Sequence, residues 1–481
     1  MNCDLLIENV SIVGGTGSEP YRGSVAVCGD RIGAVGRNSC TATKVIDGRG
    51  HALAPGFIDV HTHDDLYLLR SPQMFPKLSQ GVTTVVTGNC GISAGPATLK
   101  HGFPDPMNLL GQASEFRYHK FSDYVRALEL ARPALNVASL VGHTTLRNNH
   151  LDRLDRVASA HEIEKMKQEL RDALENGALG LSTGLAYLSA NSASTEEVIG
   201  LAQTLTAAAA IYATHLRSET DAVLSAFDEA CRIGKKVGAP VVVSHLKCAG
   251  VDNWNRSPEL LAALDRARSE QPIGCDCYPY AASSSTLDLR QVDERVKITI
   301  TWSDPHPEMA GRNLDAIAQE WKIAQLDAAR RLQPAGAVYH CIAESDMRSI
   351  LRHPATMIGS DGLPSDPRPH PRLWGTFPRV LGKYAREEKL FALSEAVRKM
   401  TSLPAERFGF NDRGRIREGF CADLVLFDPD TVRDTATFSD PVRAAVGIEA
   451  VWVNGILSYQ NGNATGSRAG RFLKRSSPGK S

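Results

Sequence analysis

The chain has 481 residues, of which 42% are hydrophobic and 22% charged, and its 54 Lys and Arg balance 54 Asp and Glu. This length exceeds the roughly 250–300 residues at which one hydrophobic core stops growing, so we expect a large domain with an appended or inserted piece. Because the net charge is zero, the composition gives no general attraction to nucleic acid or to an anionic membrane, and we expect neither as a partner.

The N-terminal stretch and the cysteines favour a cytoplasmic protein. The first residues, MNCDLLIENVSIVGG, alternate like a strand and lack the charged start and apolar core of a secretory signal. The sequence contains no run near the ~18 apolar residues that a membrane span needs. The ten cysteines are scattered, without the spacing of a disulfide scaffold or a zinc ribbon, which predicts reduced thiols.

Both ends of the chain predict short strands. Near the start lie DLLIENVSIV, GSVAVCGDRIGAVG and KVIDGRGHALA, and after residue 412 lie RGRIREGFCADLVLFD and AVGIEAVWVNGILSY. Two β-rich ends around a long middle predict that residues 1–53 and 413–481 fold together into one small β domain, followed by a tail.

The middle of the chain alternates between apolar strands and amphipathic helices. A clear helix is HEIEKMKQELRDALENG, with Ile163, Met166, Leu170 and Leu174 on one stripe. The predicted buried strands are 81–89, 133–143, 178–187, 211–217 and 240–247. Such alternation predicts the α/β class, most economically a (β/α)8 barrel over residues 54–412, with a lid-like insertion around 285–340.

Two histidines follow the first strand of this middle region. His61 and His63 come directly after the apolar run FIDV, one residue apart. Residues i and i+2 of a strand point to the same face, so both imidazoles look one way. A pair of neutral imidazoles in that arrangement can bind one metal ion.

Other apolar runs also end in polar side chains. In a (β/α)8 barrel, the chemistry lies at the carboxyl ends of the strands. The polar residues at or after the later runs are Cys90, His143, Tyr187, His215, His245 and Asp361. The metal-type residues among all these are imidazoles, one thiol and one carboxylate, a set that suits Zn²⁺ better than Mg²⁺ or Ca²⁺. Two positions have ordinary alternatives, because Cys90 can be an inert buried thiol and His143 the partner of a buried backbone group.

Several motifs together resemble one known family. They are PGFIDVHTH, GVTTVVTGNCG, SLVGHTTLR, GALGLSTGLAY, SHLKCAG, DCYPYAASSST, ITWSDPHPEMAGR and MIGSDGLPSDPRPHPRLWGTFPRVLG. The chain resembles the amidohydrolase superfamily and, within it, the D-aminoacylases (N-acyl-D-amino-acid deacylases), essentially from end to end. The resemblance implies zinc-dependent hydrolysis of an N-acyl-D-amino acid to a carboxylic acid and a free D-amino acid. The preference for the D enantiomer rests on the resemblance alone.

The resemblance also implies roles for individual residues. It implies a tightly bound zinc held by Cys90, His215 and His245, and a weaker second metal position lined by His61, His63 and Asp361. It implies that Lys247, Tyr187 and Arg372 receive the substrate α-carboxylate, and Ser285 joins this substrate-binding set. Asp361 is the expected carrier of the proton, and His143 or Tyr187 is expected to help stabilise the oxyanion.

Two other functions are compatible with parts of this pattern. A cyclic-amide hydrolase of the hydantoinase or dihydropyrimidinase type would keep the fold and metals, but the segment ALGLSTG lacks the strand lysine of those enzymes. A non-catalytic binding protein typically loses metal ligands, whereas this chain retains all of them. The side-chain preference of the substrate stays open, with Arg290, Arg295 or Lys297 as candidates to meet an acidic group.

Overall fold

The strands of the molecule are known from a computed structural model that describes residues 2–36 and 40–475. In chain order they are β1 Asn2–Ile12, β2 Tyr21–Cys28, β3 Arg31–Gly36, β4 Thr41–Asp47, β5 Ala52–Pro55, β6 Phe57–Asp59, β7 Val82–Thr87, β8 Asn136–Ser139, β9 Val141–Gly142, β10 Gly180–Gly184, β11 Ile211–His215, β12 Val241–Val243, β13 Ile273–Cys277, β14 Ser283–Thr286, β15 Ile298–Ser303, β16 Ala335–Tyr339, β17 Thr356–Ile358, β18 Leu424–Phe427, β19 Ile448–Val453, β20 Ile456–Gln460 and β21 Asn463–Ala464.

The helices lie mainly between the strands of the middle region. In chain order they are α1 Tyr67–Arg70, α2 Phe75–Leu78, α3 Phe121–Ala131, α4 His143–His150, α5 Ala160–Glu175, α6 Thr195–Ala208, α7 Val223–Val237, α8 Ser257–Glu270, α9 Leu314–Trp321, α10 Gln325–Leu332, α11 Glu344–Arg352, α12 Arg372–Arg379 with a π-helical continuation over Val380–Glu387, α13 Leu393–Met400 and α14 Ser402–Phe408. Among the described residues, these include no helix that combines the length and apolarity needed to cross a bilayer.

Helix α5 forms where the sequence predicts it. Ser159 caps its start, accepting from the backbone N–H of Glu162, whose side chain bonds back to the cap. Met166, Leu170 and Leu174 are buried on one face, as their spacing predicts, and Ile163 of the same stripe is half-buried.

One nine-stranded sheet contains strands from both ends of the chain. Its order is β21-β20-β19-β18-β5-β1-β2-β3, with β4 also paired to β1. Strand β5 joins the two ends, because it pairs with β1 on one side and antiparallel with β18 on the other. Strand β5 leads through Gly56 directly into β6, so the sheet connects to the first strand of the middle region.

The middle region is built on two parallel sheets. One has the order β6-β7-β8, and the other has the order β17-β13-β12-β11-β10-β9. The predicted alternation of parallel strands and helices is therefore confirmed. The segments after β6 and β17 meet through the backbone: Asp361 N donates to His61 O at 2.7 Å and His63 N donates to Gly362 O at 3.0 Å. This contact places side chains from the first and last parallel strands at the same edge.

The segment between β13 and β17 departs from that alternation. Strands β14, β16 and β15 form a separate three-stranded antiparallel sheet, accompanied by α9 and α10. The irregular pattern in the sequence around residues 285–340 corresponds to this added structure.

Candidate metal and catalytic site

Four side chains of types that bind metal ions meet beyond the carboxyl ends of the parallel strands, and we call them the metal-type cluster. His61, Cys90, His245 and Asp361 each offer a ligand atom, and these atoms all lie within 4.8 Å of one another. The Cys90 Sγ lies 3.2 Å from His61 Nε2 and 3.3 Å from His245 Nε2. His63 joins through Asp361, with its Nε2 3.2 Å from Oδ1 of that carboxylate.

The sixth predicted ligand, His215, belongs to a second group. This group consists of His215, Glu219 and His245. The His215 and His245 rings are 4.4 Å apart between centroids, and His215 Nε2 lies 3.6 Å from Glu219 Oε2. The structure therefore brings all six predicted ligands into one region, with His245 shared by the two groups.

Three of these residues have a backbone conformation that is unusual for a residue with a side chain. The φ angles of Cys90, His245 and Asp361 are +52°, +34° and +49°. Left-handed backbone at such residues costs on the order of 1–3 kcal/mol and is concentrated at functional sites. The Cys90 turn also needs room, because a Cβ at Gly184 would lie 2.1 Å from the Cys90 carbonyl oxygen.

The charges in the cluster favour the metal-binding form of the sulfur and the carboxylate. Burial raises the pKa of the Cys90 thiol, but the charges of His61 and His245 lower it to well below its usual range. Burial likewise raises the pKa of Asp361, and the Arg372 guanidinium with His245 outweighs it, leaving that pKa well below normal. A thiolate, a carboxylate and several imidazoles are the ligand types that bind zinc, so these residues fit a zinc ion.

An arginine beside the cluster has donors free for a ligand. Arg372 is fully buried, and its Nη2 donates to Ser284 O at 3.0 Å and lies 2.9 Å from Asp361 Oδ2. Its Nε and Nη1 have no hydrogen-bond partner. Because an unpaired buried N–H is costly, this fork is suited to a bound carboxylate. Tyr278, whose hydroxyl is also unpartnered, lies with its ring centroid 4.6 Å from the guanidinium carbon.

The remaining predicted substrate-binding residues line the same region. Lys247 is buried, and its Nζ lies 2.5 Å from Glu219 Oε1 and 2.8 Å from His245 Nδ1. The Tyr187 ring is 5.0 Å from the His215 ring, and the Ser285 side chain lies near enough to the Tyr187 hydroxyl to lower its pKa in part. Burial raises the pKa of Tyr187 well above its usual range, so this hydroxyl stays protonated and able to donate.

Comparison with known proteins places the chain in a family. Residues 44–459 match the family model described as the amidohydrolase family. The chain belongs to the amidohydrolase family. It is 48% identical to a D-aminoacylase of Alcaligenes xylosoxydans xylosoxydans over 98% of each chain. A crystal structure of D-aminoacylase shares 47% identity with a TM-score of 0.97, covering 98% of this chain and 100% of that one.

A second solved structure is similar to a comparable degree. It is an N-acyl-D-glutamate deacylase from Bordetella bronchiseptica, complexed with zinc and a phosphonate inhibitor that mimics the tetrahedral intermediate of the reaction. It shares 44% identity with a TM-score of 0.95 and covers 98% of this amidohydrolase and 100% of its own chain. The molecule therefore has the amidohydrolase fold.

His143 was also predicted as a catalytic residue, but its contacts in this amidohydrolase do not place it in the cluster. Its Nε2 lies 3.1 Å from Glu197 Oε1 in α6, and Arg147 pairs with the same carboxylate. Helix α4 begins at His143, so helical rather than strand geometry sets the direction of its side chain. A catalytic role for His143 stays a prediction that these contacts do not support, and they favour a structural role instead.

The cationic candidates for an acidic substrate side chain are at the surface. The Arg290 and Arg295 side chains are each about half exposed and paired with carboxylates, Arg290 with Asp288 at 2.6 Å and Arg295 with Asp252 at 2.7 Å. Lys297 is also exposed. The structure therefore does not place these cations in a buried pocket.

Two carboxylates of the amidohydrolase site escaped the sequence analysis. Asp276 Oδ2 lies 3.3 Å from His61 Nδ1, and its Oδ1 accepts from the His245 backbone N–H at 3.0 Å. Glu219 Oε1 lies 2.9 Å from His245 Nδ1. Carboxylates at the second ring nitrogen fix the orientation of a metal-binding histidine. Two features of the sequence could have indicated them: Asp276 is an acid inside the buried strand segment CDC, and Glu219 is an acid four residues after His215.

We expect Glu219→Gln to bind zinc about 10–100-fold more weakly, because the neutral amide orients His245 less firmly and no longer supports its basicity. Zinc titration against a competing chelator measures this. The matched control is Glu229→Gln, since that buried carboxylate pairs with Arg217 and Thr195 instead of a predicted ligand. Equal zinc affinities for Glu219→Gln and the wild type would contradict the orienting role.

Proposed function

We propose that this amidohydrolase hydrolyses the amide bond of N-acyl-D-amino acids, producing a carboxylic acid and a free D-amino acid. The observation that carries the proposal is the buried Arg372 fork, with two unpaired donors, directly beside the Cys90–Asp361 metal-type cluster. This arrangement suits a substrate with a free carboxylate near its scissile amide. The D enantiomer is proposed because the relatives compared above act on D-amino-acid derivatives.

The two parallel sheets are proposed to form one closed (β/α)8 barrel over residues 54–412. Eight parallel strands support this when β8 and β9 are counted as one, together with the bridge between Thr62 and Gly362 that links the two sheets. In this proposal residues 1–53 and 413–481 form the small β domain. The antiparallel insertion around 285–340 lies over the site, as the hydrogen bond from Arg372 Nη2 to Ser284 O in β14 supports.

Zinc is the proposed cofactor. Cys90, His215 and His245 would hold the tightly bound ion, and His61, His63 and Asp361 would line a weaker second position. When bound, the ion supplies Lewis-acid chemistry, lowering the pKa of water toward ~7 and polarising the amide carbonyl.

The side chains of the site divide the remaining work. Arg372 and Lys247 bind the α-carboxylate, because a guanidinium fork and an ammonium both match its charge. Asp361 accepts a proton at a carboxylate oxygen during attack and passes it to the leaving amine. Arg372 and His63 hold that carboxylate in place from two sides. Tyr187 is half-buried next to His215, where its hydroxyl can donate to the developing oxyanion.

The carboxylate-binding role predicts a change in KM. We expect Arg372→Met and Lys247→Met each to raise KM for N-acyl amino acids by roughly 10–100-fold, because each removes a charge-assisted contact of ~1.5–3 kcal/mol. Neither change should remove the zinc. Steady-state assays on N-acetyl-D- and N-acetyl-L-amino acids, with released amine as the readout, measure both KM and enantiomer preference.

The control for these variants is Arg379→Met in the same helix. Its guanidinium pairs with Asp434 and donates to Pro279 O, so KM should stay at the wild-type value. If substrates with an amidated α-carboxylate were hydrolysed as well as the free acids, the carboxylate-binding role would be wrong. If no N-acyl amino acid of either hand were hydrolysed, the proposed reaction itself would be wrong.

A further inference from the structure

A fully buried lysine lies behind the metal-type cluster. Lys77 in α2 has no exposed surface. Its Nζ donates to Asp59 Oδ2 at 2.7 Å, to Ser360 Oγ at 2.8 Å and to Thr62 Oγ1 at 2.9 Å. Its ammonium also lies 3.3 Å from Asp64 Oδ2. A buried ammonium is tolerated only when it is paired and hydrogen-bonded, and these oxygens meet that requirement.

The partners of Lys77 are the immediate neighbours of the proposed second-position ligands. Thr62 stands between His61 and His63, and Ser360 directly precedes Asp361. The contacts therefore join the segment after β6 to the segment after β17, where those ligands lie.

Asp59 completes the connection through the backbone. Its Oδ1 accepts from Ser360 N at 2.8 Å and from His61 N at 3.3 Å, and its Oδ2 accepts from Ser360 Oγ at 2.6 Å. One ammonium and one carboxylate thus tie together the two segments whose side chains must converge. None of these hydrogen bonds joins Lys77 to the proposed tight-site ligands Cys90, His215 and His245.

We infer that Lys77 is a positioning residue that holds His61, His63 and Asp361 in register as one half of the metal site. The inference rests on the proposed function, which assigns these three side chains to the weaker metal position and Asp361 to proton transfer. Lys77 acts through Thr62, Ser360 and Asp59, so its loss should disturb the second position and leave the tight position intact. A residue that only stabilises the fold would affect both positions alike, or neither.

Two variants separate these outcomes. Lys77→Met removes the ammonium but keeps the apolar stem, and Thr62→Val removes one of its hydrogen bonds at almost constant shape. Each protein is freed of metal and titrated with Co²⁺, because the thiolate-to-cobalt absorption band reports the position that contains Cys90. We expect the first Co²⁺ to bind as in the wild type and the second at least about 10-fold more weakly in Lys77→Met, with a smaller loss in Thr62→Val.

Steady-state kinetics on the same zinc-loaded samples give a second readout. We expect kcat to fall and KM to stay constant, since Asp361 is displaced while Lys247 and Arg372 are unchanged. The control is Lys399→Met, which removes another fully buried lysine whose Nζ donates to the backbone carbonyls of His353 and Thr356. This control should lose stability but keep both Co²⁺ affinities and kcat.

The inference is overturned if Lys77→Met and Thr62→Val bind both ions as the wild type does, or if they lose both ions equally. Should Lys77→Met fail to fold, Thr62→Val alone decides by the same criteria. A wild-type chain that takes up only one Co²⁺ also contradicts the inference, because there is then no second ion to position. One that takes up none contradicts the proposed function instead.

Discussion

Cys90→Ala is expected to lose most of the bound zinc and all measurable activity. The Cys90 sulfur lies 3.2 Å from His61 Nε2 and 3.3 Å from His245 Nε2, at the centre of the four-residue cluster. Loss of a residue that only orients a ligand costs about 10–100-fold in metal affinity, so loss of the ligand should cost more. Zinc per chain by elemental analysis and turnover on the same sample measure the effect.

A second buried cysteine provides the control. Cys275 in β13 is fully buried, bonds to Thr356 Oγ1, and has a pKa that burial raises to about 12, so it stays a neutral thiol. Cys275→Ala therefore removes the same atoms from the core without removing a ligand, and we expect it to keep zinc and turnover at some cost in stability. Full zinc content and wild-type turnover in purified Cys90→Ala would refute the assignment of Cys90.

The sequence predicted the positions of the ligands because parallel strands leave a strong pattern. A strand buried on both faces reads as a short apolar run, and its carboxyl end shares an edge with its neighbours. His61, His215 and His245 each lie at or just after such a run, so the runs indicate that they converge. The role that the same rule gives His143 stays a prediction, because α4 begins at that residue and its side chain contacts Glu197.

The sequence did not predict the internal arrangement of the site. Cys90, His245 and Asp361 depend on left-handed backbone, which residue type indicates strongly only at glycine. Glu219 and Lys77 read as an ordinary polar loop residue and an ordinary helix residue. Their roles depend on partners distant in the chain, such as Ser360 for Lys77, 283 residues away, and those pairs exist only once the strands are assembled.

Asp361→Asn is expected to keep its tightly bound zinc and lose catalysis. The three proposed tight ligands, Cys90, His215 and His245, are unchanged, and asparagine is nearly isosteric with aspartate. An amide cannot accept the proton, so kcat should fall by the ~10²–10⁴-fold typical of a lost general base. KM should change less, because Arg372 keeps the two donors that are free for the substrate.

The pH dependence of the rate gives the sharper test of Asp361. A base works only when it is unprotonated, so activity in the wild type is lost as the pH falls through the pKa of Asp361. Burial raises that pKa, but the opposite effect of Arg372 and His245 is larger and leaves the pKa below the normal range of a carboxylate, so we expect the acidic limb there. This limb should vanish from the residual activity of Asp361→Asn.

The control Asp346→Asn alters a buried carboxylate that accepts from Asn255 N and Ser257 N, away from the cluster, and should keep kcat and the acidic limb. Two outcomes for Asp361→Asn are incompatible with proton transfer by Asp361. If the protein retains both zinc and kcat, Asp361 has no catalytic role. If it loses both together, Asp361 is a ligand of the tightly bound zinc.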